Sequence, residues 1–172
     1  IDRSQVYPTA VLVNALQSHA KVPLLIAADF ERGTAMRLEE GTSFPHPMAV
    51  AAAGRPEDAY TIGKVTALEA RAVGAPWIFA PDADVNSNPD NPIINTRSFG
   101  EDPAKVSEFV AAFVRGVEEN GGLSTAKHFP GQRPAPPDTT RNHRPAPRSA
   151  RSNSSISVTR PASGGRALVI QK

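Results

Sequence analysis

Short apolar runs alternate with longer amphipathic segments along this chain, and this alternation restricts the possible folds more than any other feature. Three apolar runs have the length of buried strands, and they span residues 23–29, 76–80 and 123–129. Three longer segments carry apolar residues at helical spacing, and they span residues 3–19, 57–73 and 103–119. Strands that alternate with helices predict parallel βαβ units, an α/β fold. Open doubly wound sheets and closed barrels share this pattern, which does not choose between them.

The spacing within the second and third helices also predicts which residues face the core. The apolar stripe of the second helix comprises Ile62, Val65, Leu68 and Ala72. The apolar stripe of the third helix comprises Val106, Val110, Phe113 and Val117. Gly74 and Gly121 follow these two helices and indicate where they end.

The alternation stops at Gly131, and the rest of the chain has a different composition. Residues 132–172 contain seven Arg, six Ser and six Pro, with few apolar side chains. We therefore divide the chain into an α/β domain at 1–131 and an irregular basic tail at 132–172. The tail is interpreted as a disordered segment, as a stretch read out of frame from about Gln132, or as an arm that binds RNA or another anion. The third interpretation lacks support, because the tail has no aromatic residue for base stacking.

Composition excludes several classes of protein. The formal net charge of +2 combines −5 over residues 1–131 with +7 over residues 132–172, so the α/β part does not predict nucleic-acid binding. The absence of cysteine excludes disulfide scaffolds, thiolate zinc sites and a cysteine nucleophile. No apolar run approaches the roughly 20 residues of a membrane-spanning helix, so no membrane partner is predicted. The 172 residues are also fewer than the roughly 250 of a typical eight-stranded barrel.

Polar residues follow each of the three predicted strands. Asp29 and Glu31 lie at the end of the first strand, residues 82–88 follow the second, and Lys127 and His128 lie at the end of the third. The carboxyl ends of parallel strands form the functional face of α/β barrels and open sheets alike. We therefore expect these side chains to lie at one edge of the sheet.

Spacing alone leaves the chemistry of these residues open. Asp29 and Glu31 are two residues apart, so they project to the same side of an extended segment. Three interpretations fit this spacing: an acid/base pair, a metal site, or a surface pair bound to Arg32 and Arg37. The bare spacing favours the surface pair. Arg97 lies in a loop long enough to indicate function, where it either clamps a carboxylate or sugar hydroxyl or pairs with Glu101 or Asp102.

The remaining motifs predict no metal and no cofactor. Residues 82–93 begin like a calcium loop, but Ser87 stands where that loop needs glycine and Ile93 where it needs glutamate. No glycine-rich phosphate loop occurs, and the four histidines lack metal-ligand spacing. Lys127 and His128 would point to opposite faces of a regular strand, so both reach one ligand only if the strand twists or ends there.

Three motifs in this order resemble the N-terminal barrel domain of glycoside hydrolase family 3, the β-glucosidases and β-N-acetylhexosaminidases. The motifs are residues 24–33 (LLIAADFERG) with Arg37, residues 84–100 (DVN to NTRSFG) and residues 126–131 (AKHFPG). The last two resemble the hexosaminidase branch most closely. The resemblance implies a partial TIM-type (β/α)8 barrel with parallel strands and alternating helices, followed by the tail.

The resemblance also implies a sugar pocket and a reaction. Asp29 would accept hydrogen bonds from hydroxyls of the sugar in the −1 subsite, and Arg37, Arg97, Lys127 and His128 would line the same pocket. The implied activity is hydrolysis, with retention, of terminal β-linked N-acetylglucosamine or glucose from an oligosaccharide or cell-wall sugar. No cofactor or metal is implied.

The resemblance further implies that this chain lacks part of the catalytic machinery. The family's aspartate nucleophile belongs to a later strand, and the only acidic residue after Glu119 is Asp138. The hexosaminidase branch uses a histidine on a mobile loop as general acid/base, and residues 138–144 partly match that loop. His143 is therefore a candidate acid/base, although Asn142 stands where its acidic partner is expected. We expect the parent protein to be a hydrolase and this truncated chain to be inactive.

Two further hypotheses remain. One is a non-catalytic carbohydrate-binding fragment that keeps the pocket, and the other is an open-sheet enzyme of another kind. The latter lacks a phosphate-binding glycine loop. Because part of a barrel leaves two sheet edges and apolar surface exposed, we also expect self-association.

Overall fold

The structure is a computed structural model that describes residues 3–129 and 131. The regular elements in these residues are, in chain order, α1 (Val6–His19), β1 (Ala27–Ala28), α2 (Pro47–Ala52), α3 (Pro56–Ala72), β2 (Trp77–Ile78), α4 (Pro103–Glu118) and β3 (Leu123–Ser124). Two short 3-10 turns, Thr34–Met36 and Asn95–Arg97, precede α2 and α4. The sequence pattern predicts α1, α3, α4 and the three strands, but not α2 or the two turns.

The three strands form a parallel sheet in the order β1–β2–β3. Ala28 pairs with Ile78, and Ile78 pairs with Ser124. Helices α3 and α4 connect successive strands and pack against each other, so both connections lie on one face of the sheet. A sequential strand order with helices on one face is typical of an α/β barrel, whereas a doubly wound sheet reverses its order at a switch point. The predicted partial barrel is confirmed.

Two glycines allow α3 and α4 to pack closely. A Cβ atom on Gly63 would lie 2.3 Å from the carbonyl oxygen of Phe113, and one on Gly116 would lie 2.1 Å from the carbonyl oxygen of Tyr60. No side chain fits at either position while the helices keep this separation. The predicted stripe of α4 is buried in full: Val106, Val110, Phe113 and Val117.

The predicted stripe of α3 is wrong in part. Ile62 is buried, but Leu68 is 46% exposed and Ala72 is also exposed. The helix instead buries a face of mostly small residues, which includes Ala59, Gly63, Thr66, Ala67 and Ala70. Hydropathy selects the wrong side of this helix because α4 approaches too closely for large side chains.

The regular strands are shorter than the predicted runs. Leu24 and Leu25 lie before β1 and are about half exposed. Beyond β2 and β3 the backbones pair irregularly, and the Lys127 N–H donates to the carbonyl oxygen of Pro81 at 3.0 Å. Prolines interrupt the ladder because they have no N–H to donate. The Ala80–Pro81 and Lys127–His128 peptide bonds in these segments are cis.

Helix α1 begins at Val6 rather than at the predicted residue 3. The Ser4 N–H donates to the carbonyl oxygen of Arg37 at 2.9 Å, and the Ser4 carbonyl accepts from the N–H of Glu39 at 2.9 Å. These bonds hold Ser4 extended beside the segment that carries Arg37, so the helix starts only after it.

Helix α1 and the segment that leads to β1 expose several large apolar side chains, hereafter called the apolar face. The exposed large side chains of α1 and of the segment leading to β1 are Tyr7, Val11, Leu12, Leu16, Val22, Leu24 and Leu25. Among the helices in the described part of the chain, none is long and apolar enough to cross a membrane. This face agrees with the apolar surface expected of a partial barrel.

Candidate functional site

A pocket of about 450 Å³ lies at the carboxyl ends of the three strands. This volume is within the range of small-molecule sites. The residues that line the pocket are Asp29, Glu31, Arg32, Met36, Arg37, His46, Pro47, Arg97, Lys127 and His128. The polar residues that follow β1 and β3 therefore share one hollow with two arginines from the connecting loops.

Lys127 joins the ends of the first and third strands. Its Nζ lies 2.6 Å from Asp29 Oδ1 and 2.6 Å from Glu31 Oε1. Arg37 Nη2 lies 3.6 Å from the other oxygen of Asp29. The side chain of Asp29 is 40% exposed, whereas that of Glu31 is 5% exposed. Asp29 is therefore the carboxylate of this pair that a ligand can reach.

Glu31 and Arg97 form a bidentate ion pair. Arg97 Nε donates to Glu31 Oε2 at 3.0 Å, and Arg97 Nη2 donates to Glu31 Oε1 at 2.8 Å. Burial by itself would raise the pKa of Glu31, but the hydrogen bonds and charges of Arg97 and Lys127 outweigh it and lower that pKa from 4.5 to about 2. Glu31 is ionised throughout the neutral range and holds both cations in place.

Two buried carboxyl groups contact His128. The Nδ1 atom of its ring lies 2.7 Å from Asp84 Oδ2, and its backbone N–H donates to the same oxygen at 3.1 Å. The fully buried side chain of Asp82 lies 3.3 Å from His128 Nδ1 and 3.0 Å from Arg97 Nη2. Burial, together with a hydrogen bond to Asp84, raises the pKa of Asp82 from 3.8 to about 8, although the Arg97 charge opposes this. Asp82 therefore keeps its proton at neutral pH.

Helix α3 anchors the segment that carries Arg37. The Glu69 carboxylate of α3 accepts hydrogen bonds from the hydroxyl groups of Thr34 and Thr42, and from the N–H of Thr42 at 3.1 Å. These bonds close the segment between the two threonines, with Arg37 inside it. The position of Arg37 thus depends on a helix on the outer side of the sheet.

Contacts on either side of Arg97 hold its loop. The Phe99 ring stacks on Phe109 of α4 with 5.5 Å between ring centroids. Ser98 Oγ donates to the carbonyl oxygen of Asp84 at 2.5 Å and so ties the loop to the end of the second strand. The guanidinium of Arg97 is therefore placed by packing as well as by its ion pairs.

The structure brings together all five residues that the motifs single out. Asp29, Arg37, Arg97, Lys127 and His128 line one pocket, and the last two share it because the regular strand ends before them. Their roles toward a ligand stay predictions. His143, the candidate acid/base, lies outside the described residues, as do residues 132–172.

Two interpretations of the ion pairs are wrong in whole or in part. The surface pair of Asp29 and Glu31 is wrong for Glu31, which is buried under Lys127 and Arg97, whereas Asp29 is part-exposed and does lie near Arg37. Arg97 does not pair with Glu101 or Asp102, because its guanidinium faces Glu31 and Asp82 instead.

Sequence reasoning missed the buried partners and part of the pocket wall. Asp82 and Asp84 were expected at the same edge of the sheet but not as the partners of His128 and Arg97, and His46, Arg32 and Met36 were not expected to line the pocket. The available signal was the spacing of Asp82 and Asp84 after the second strand. Residues two apart project to the same side of an extended segment, so both carboxyl groups could be expected to face one partner.

One group of described residues has the spacing of metal ligands. Single ligand atoms of Asp82, Asp84 and His128 lie within 4.8 Å of one another. Asp82 and Asp84 already contact His128 Nδ1, and Asp82 also faces the Arg97 guanidinium. Because these groups compensate one another through a proton and a cation, the arrangement does not require an ion.

The fold and the pocket define the structural class: a partial α/β barrel with a charged, hydrogen-bonding pocket at the carboxyl ends of its strands. The sequence profile of the glycosyl hydrolase family 3 N-terminal domain matches residues 3–156, and the chain belongs to that family. The match extends past residue 131, so the division into an α/β domain and a tail stays a prediction.

Individual relatives agree with this assignment. A protein from Cellulomonas fimi named beta-N-acetylglucosaminidase/beta-glucosidase is 43% identical over 122 residues, which are 71% of this chain and 22% of that protein. The solved structure of beta-glucoside phosphorylase BglX has a TM-score of 0.74 and 38% identity, over 76% of this chain and 24% of that one. A family 3 beta-N-acetylglucosaminidase from Paenibacillus sp. str. FPU-7 has a TM-score of 0.70 and 40% identity, over 74% and 25%. The chain spans about a quarter of the length of these relatives.

Proposed function

We propose that the pocket binds the terminal sugar of a β-linked glycoside, with N-acetylglucosamine or glucose in the −1 subsite of a retaining glycoside hydrolase. The observation that carries this proposal is the convergence of five polar side chains on one pocket: Asp29, Arg37, Arg97, Lys127 and His128. The name of the Cellulomonas fimi relative includes activities on both sugars, which supports this choice of ligands.

The chemistry of the pocket suits sugar hydroxyl groups. A hydroxyl both donates and accepts, while arginine and lysine side chains only donate and an ionised carboxylate only accepts. Arg37 and Asp29 have side chains 28% and 40% exposed, so both reach a ligand without breaking the buried ion pairs. Contacts at these positions strengthen as the sugar ring flattens toward the oxocarbenium-like transition state, and they then raise the rate as well as the affinity.

Retaining glycosidases use two carboxyl groups, and among the described residues that line the pocket only Asp29 offers one that a ligand can reach. Glu31 is held ionised by Arg97 and Lys127, and its low pKa makes it a poor acid. Asp82 keeps a proton at neutral pH but is fully buried. We therefore propose that this chain binds the sugar without cleaving it, as a carbohydrate-binding part of the parent enzyme.

Calorimetric titration of the purified 172-residue chain with N-acetylglucosamine and with glucose tests the pocket. The Arg37→Met substitution keeps an unbranched side chain and removes its charge, and we expect affinity to fall about tenfold. Arg55→Met is the matched control, because Arg55 is 71% exposed and pairs with Asp58 away from the pocket. No heat and no shift in melting temperature with either sugar would refute the proposal.

Assays with aryl β-N-acetylglucosaminide and aryl β-glucoside test whether the chain is inactive. We expect no enzyme-like turnover by the chain, either in water or with inorganic phosphate. The phosphate arm is included because one structural neighbour is named a phosphorylase. Enzyme-like turnover would contradict the missing nucleophile, and its loss in His143→Gln would then identify His143 as the acid/base.

A further inference from the structure

The ring of His128 contacts other described residues through Nδ1, and no contact of Nε2 with the described part of the chain is found. Its Nδ1 atom lies 2.7 Å from Asp84 Oδ2, and the residue lines the pocket beside Lys127. A neutral imidazole has one N–H and one lone pair, and the partner of one nitrogen decides what the other offers. The group that faces Nδ1 therefore decides whether Nε2 donates to a ligand or accepts from it.

Asp84 is fixed in a position to make this choice. Its Oδ2 atom accepts from the backbone N–H of His128 at 3.1 Å in addition to contacting the ring. The residue is 7% exposed, and its own carbonyl oxygen accepts from Ser98 Oγ at 2.5 Å. An ionised carboxylate has no proton to donate, so the proton of this contact belongs to Nδ1.

We propose that Asp84 is a positioning residue for sugar binding: it holds His128 with the proton on Nδ1 and leaves Nε2 as an acceptor for a sugar hydroxyl. The identity of the ligand rests on the proposed function. The arrangement adds an acceptor to a pocket in which Arg37, Arg97 and Lys127 only donate. Without Asp84 the ring is free to carry its proton on Nε2, and the pocket then presents one more donor in place of an acceptor.

Asp82 lies near the same ring nitrogen. It is fully buried and lies 3.3 Å from Nδ1, farther than Asp84. Because burial raises its pKa to about 8, Asp82 keeps its proton at neutral pH and does not compete for the Nδ1 proton. A single negative charge, on Asp84, then faces the ring.

Nitrogen-15 NMR of the full chain with labelled histidine, at about pH 7.5, tests the assignment. The four histidines give separate ring signals, and His128→Gln identifies those of His128. We expect the wild-type ring to be protonated on Nδ1 and unprotonated on Nε2. In Asp84→Ala we expect the proton to move to Nε2 and the affinity for N-acetylglucosamine or glucose to fall about tenfold. Asp90→Asn, an exposed acidic residue of the same loop, is the control and should change neither.

Once His128→Gln has identified the His128 signals, the wild-type spectrum alone is able to overturn the proposal, and Asp84→Ala does not have to fold. A wild-type His128 protonated on Nε2, or on both nitrogens, refutes it. A folded Asp84→Ala chain with an unchanged tautomer or unchanged sugar affinity also refutes it. A third outcome is also informative: the proton moves from Nδ1 to Nε2 in Asp84→Ala, but the wild type binds neither sugar. This outcome supports the control of the ring by Asp84 and refutes the proposed function.

Discussion

Replacing Glu31 with glutamine removes one negative charge from the centre of the ion-pair network and nearly preserves the size of the side chain. Glu31 is 5% exposed and contacts Arg97 at 2.8 and 3.0 Å and Lys127 at 2.6 Å. A neutral amide cannot compensate two cations. The variant therefore leaves Arg97 with the Asp82 contact and its bond to the carbonyl oxygen of Ile93, and leaves Lys127 with Asp29.

Two lines of reasoning give a similar magnitude for this substitution. The lowering of the Glu31 pKa from 4.5 to about 2 corresponds to about 3 kcal/mol of folding stability. Removing one partner of a buried ion pair costs about 3–5 kcal/mol. We expect Glu31→Gln to lower the free energy of unfolding by about 3 kcal/mol at pH 7. Because the pKa is lower in the folded state, this contribution is complete above about pH 4.5 and is lost as the pH falls toward 2.

Urea unfolding followed by the fluorescence of Trp77, the single tryptophan of the chain, measures the effect at several pH values between 7 and 3. The difference between wild type and Glu31→Gln should be largest near neutral pH and should shrink below about pH 4.5. Asp58→Asn is the control, since it breaks an exposed pair with Arg55 and should cost less than about 1 kcal/mol. A difference below about 1 kcal/mol at pH 7, or one that is constant from pH 7 to pH 3, would refute the reasoning.

Two further predictions concern the second strand end and the apolar face. The pKa of Asp82 is raised from 3.8 to about 8 in the folded state, so its contribution to stability is full below about pH 4 and is lost as the pH rises toward 8. Asp82→Asn should flatten the fall in melting temperature between pH 5 and 8, and a variant that keeps the wild-type slope would contradict this. The apolar face predicts self-association, which light scattering over a range of concentrations measures. We expect Leu12→Lys to reduce it. The control is Asn14→Lys, which adds the same side chain at an exposed polar position of α1 and should not reduce it. A wild-type chain that is a sharply melting monomer at all concentrations would contradict the prediction.

The fold follows largely from periodicity, because apolar runs and amphipathic segments report burial directly. The pattern fails where packing depends on size instead of hydropathy. Helix α3 buries Gly63 and Ala67 and leaves Leu68 exposed. The reason is that α4 lies so close to α3 that even a Cβ atom on Gly63 would clash with it. The choice between an open sheet and a barrel also required the strand order, which no local pattern contains.

The pocket residues were predictable because each belongs to a motif placed at a strand end or in a long loop. Their partners were not predictable, because the decisive contacts join distant parts of the chain. Arg97 and Glu31 are 66 residues apart in sequence, and Lys127 and Asp29 are 98 residues apart. Local spacing indicated Glu101 or Asp102 as the partner of Arg97. Arg97 pairs with Glu31 instead, because a buried carboxylate has no water around it and needs a cation to compensate its charge.

The charges of the site also bear on the kind of ligand that fits. The carboxylates of Asp29, Glu31 and Asp84 are matched by contacts with Lys127, Arg97 and His128, and Arg37 lies beside Asp29. Asp82 keeps its proton at neutral pH and adds no charge. Because Lys127, Arg97 and Arg37 each already face a carboxylate, an anionic ligand would have to compete with those carboxylates for the same donors. A neutral, hydroxyl-bearing ligand adds hydrogen bonds to Arg37, Asp29 and His128 without that competition, and a sugar is such a ligand.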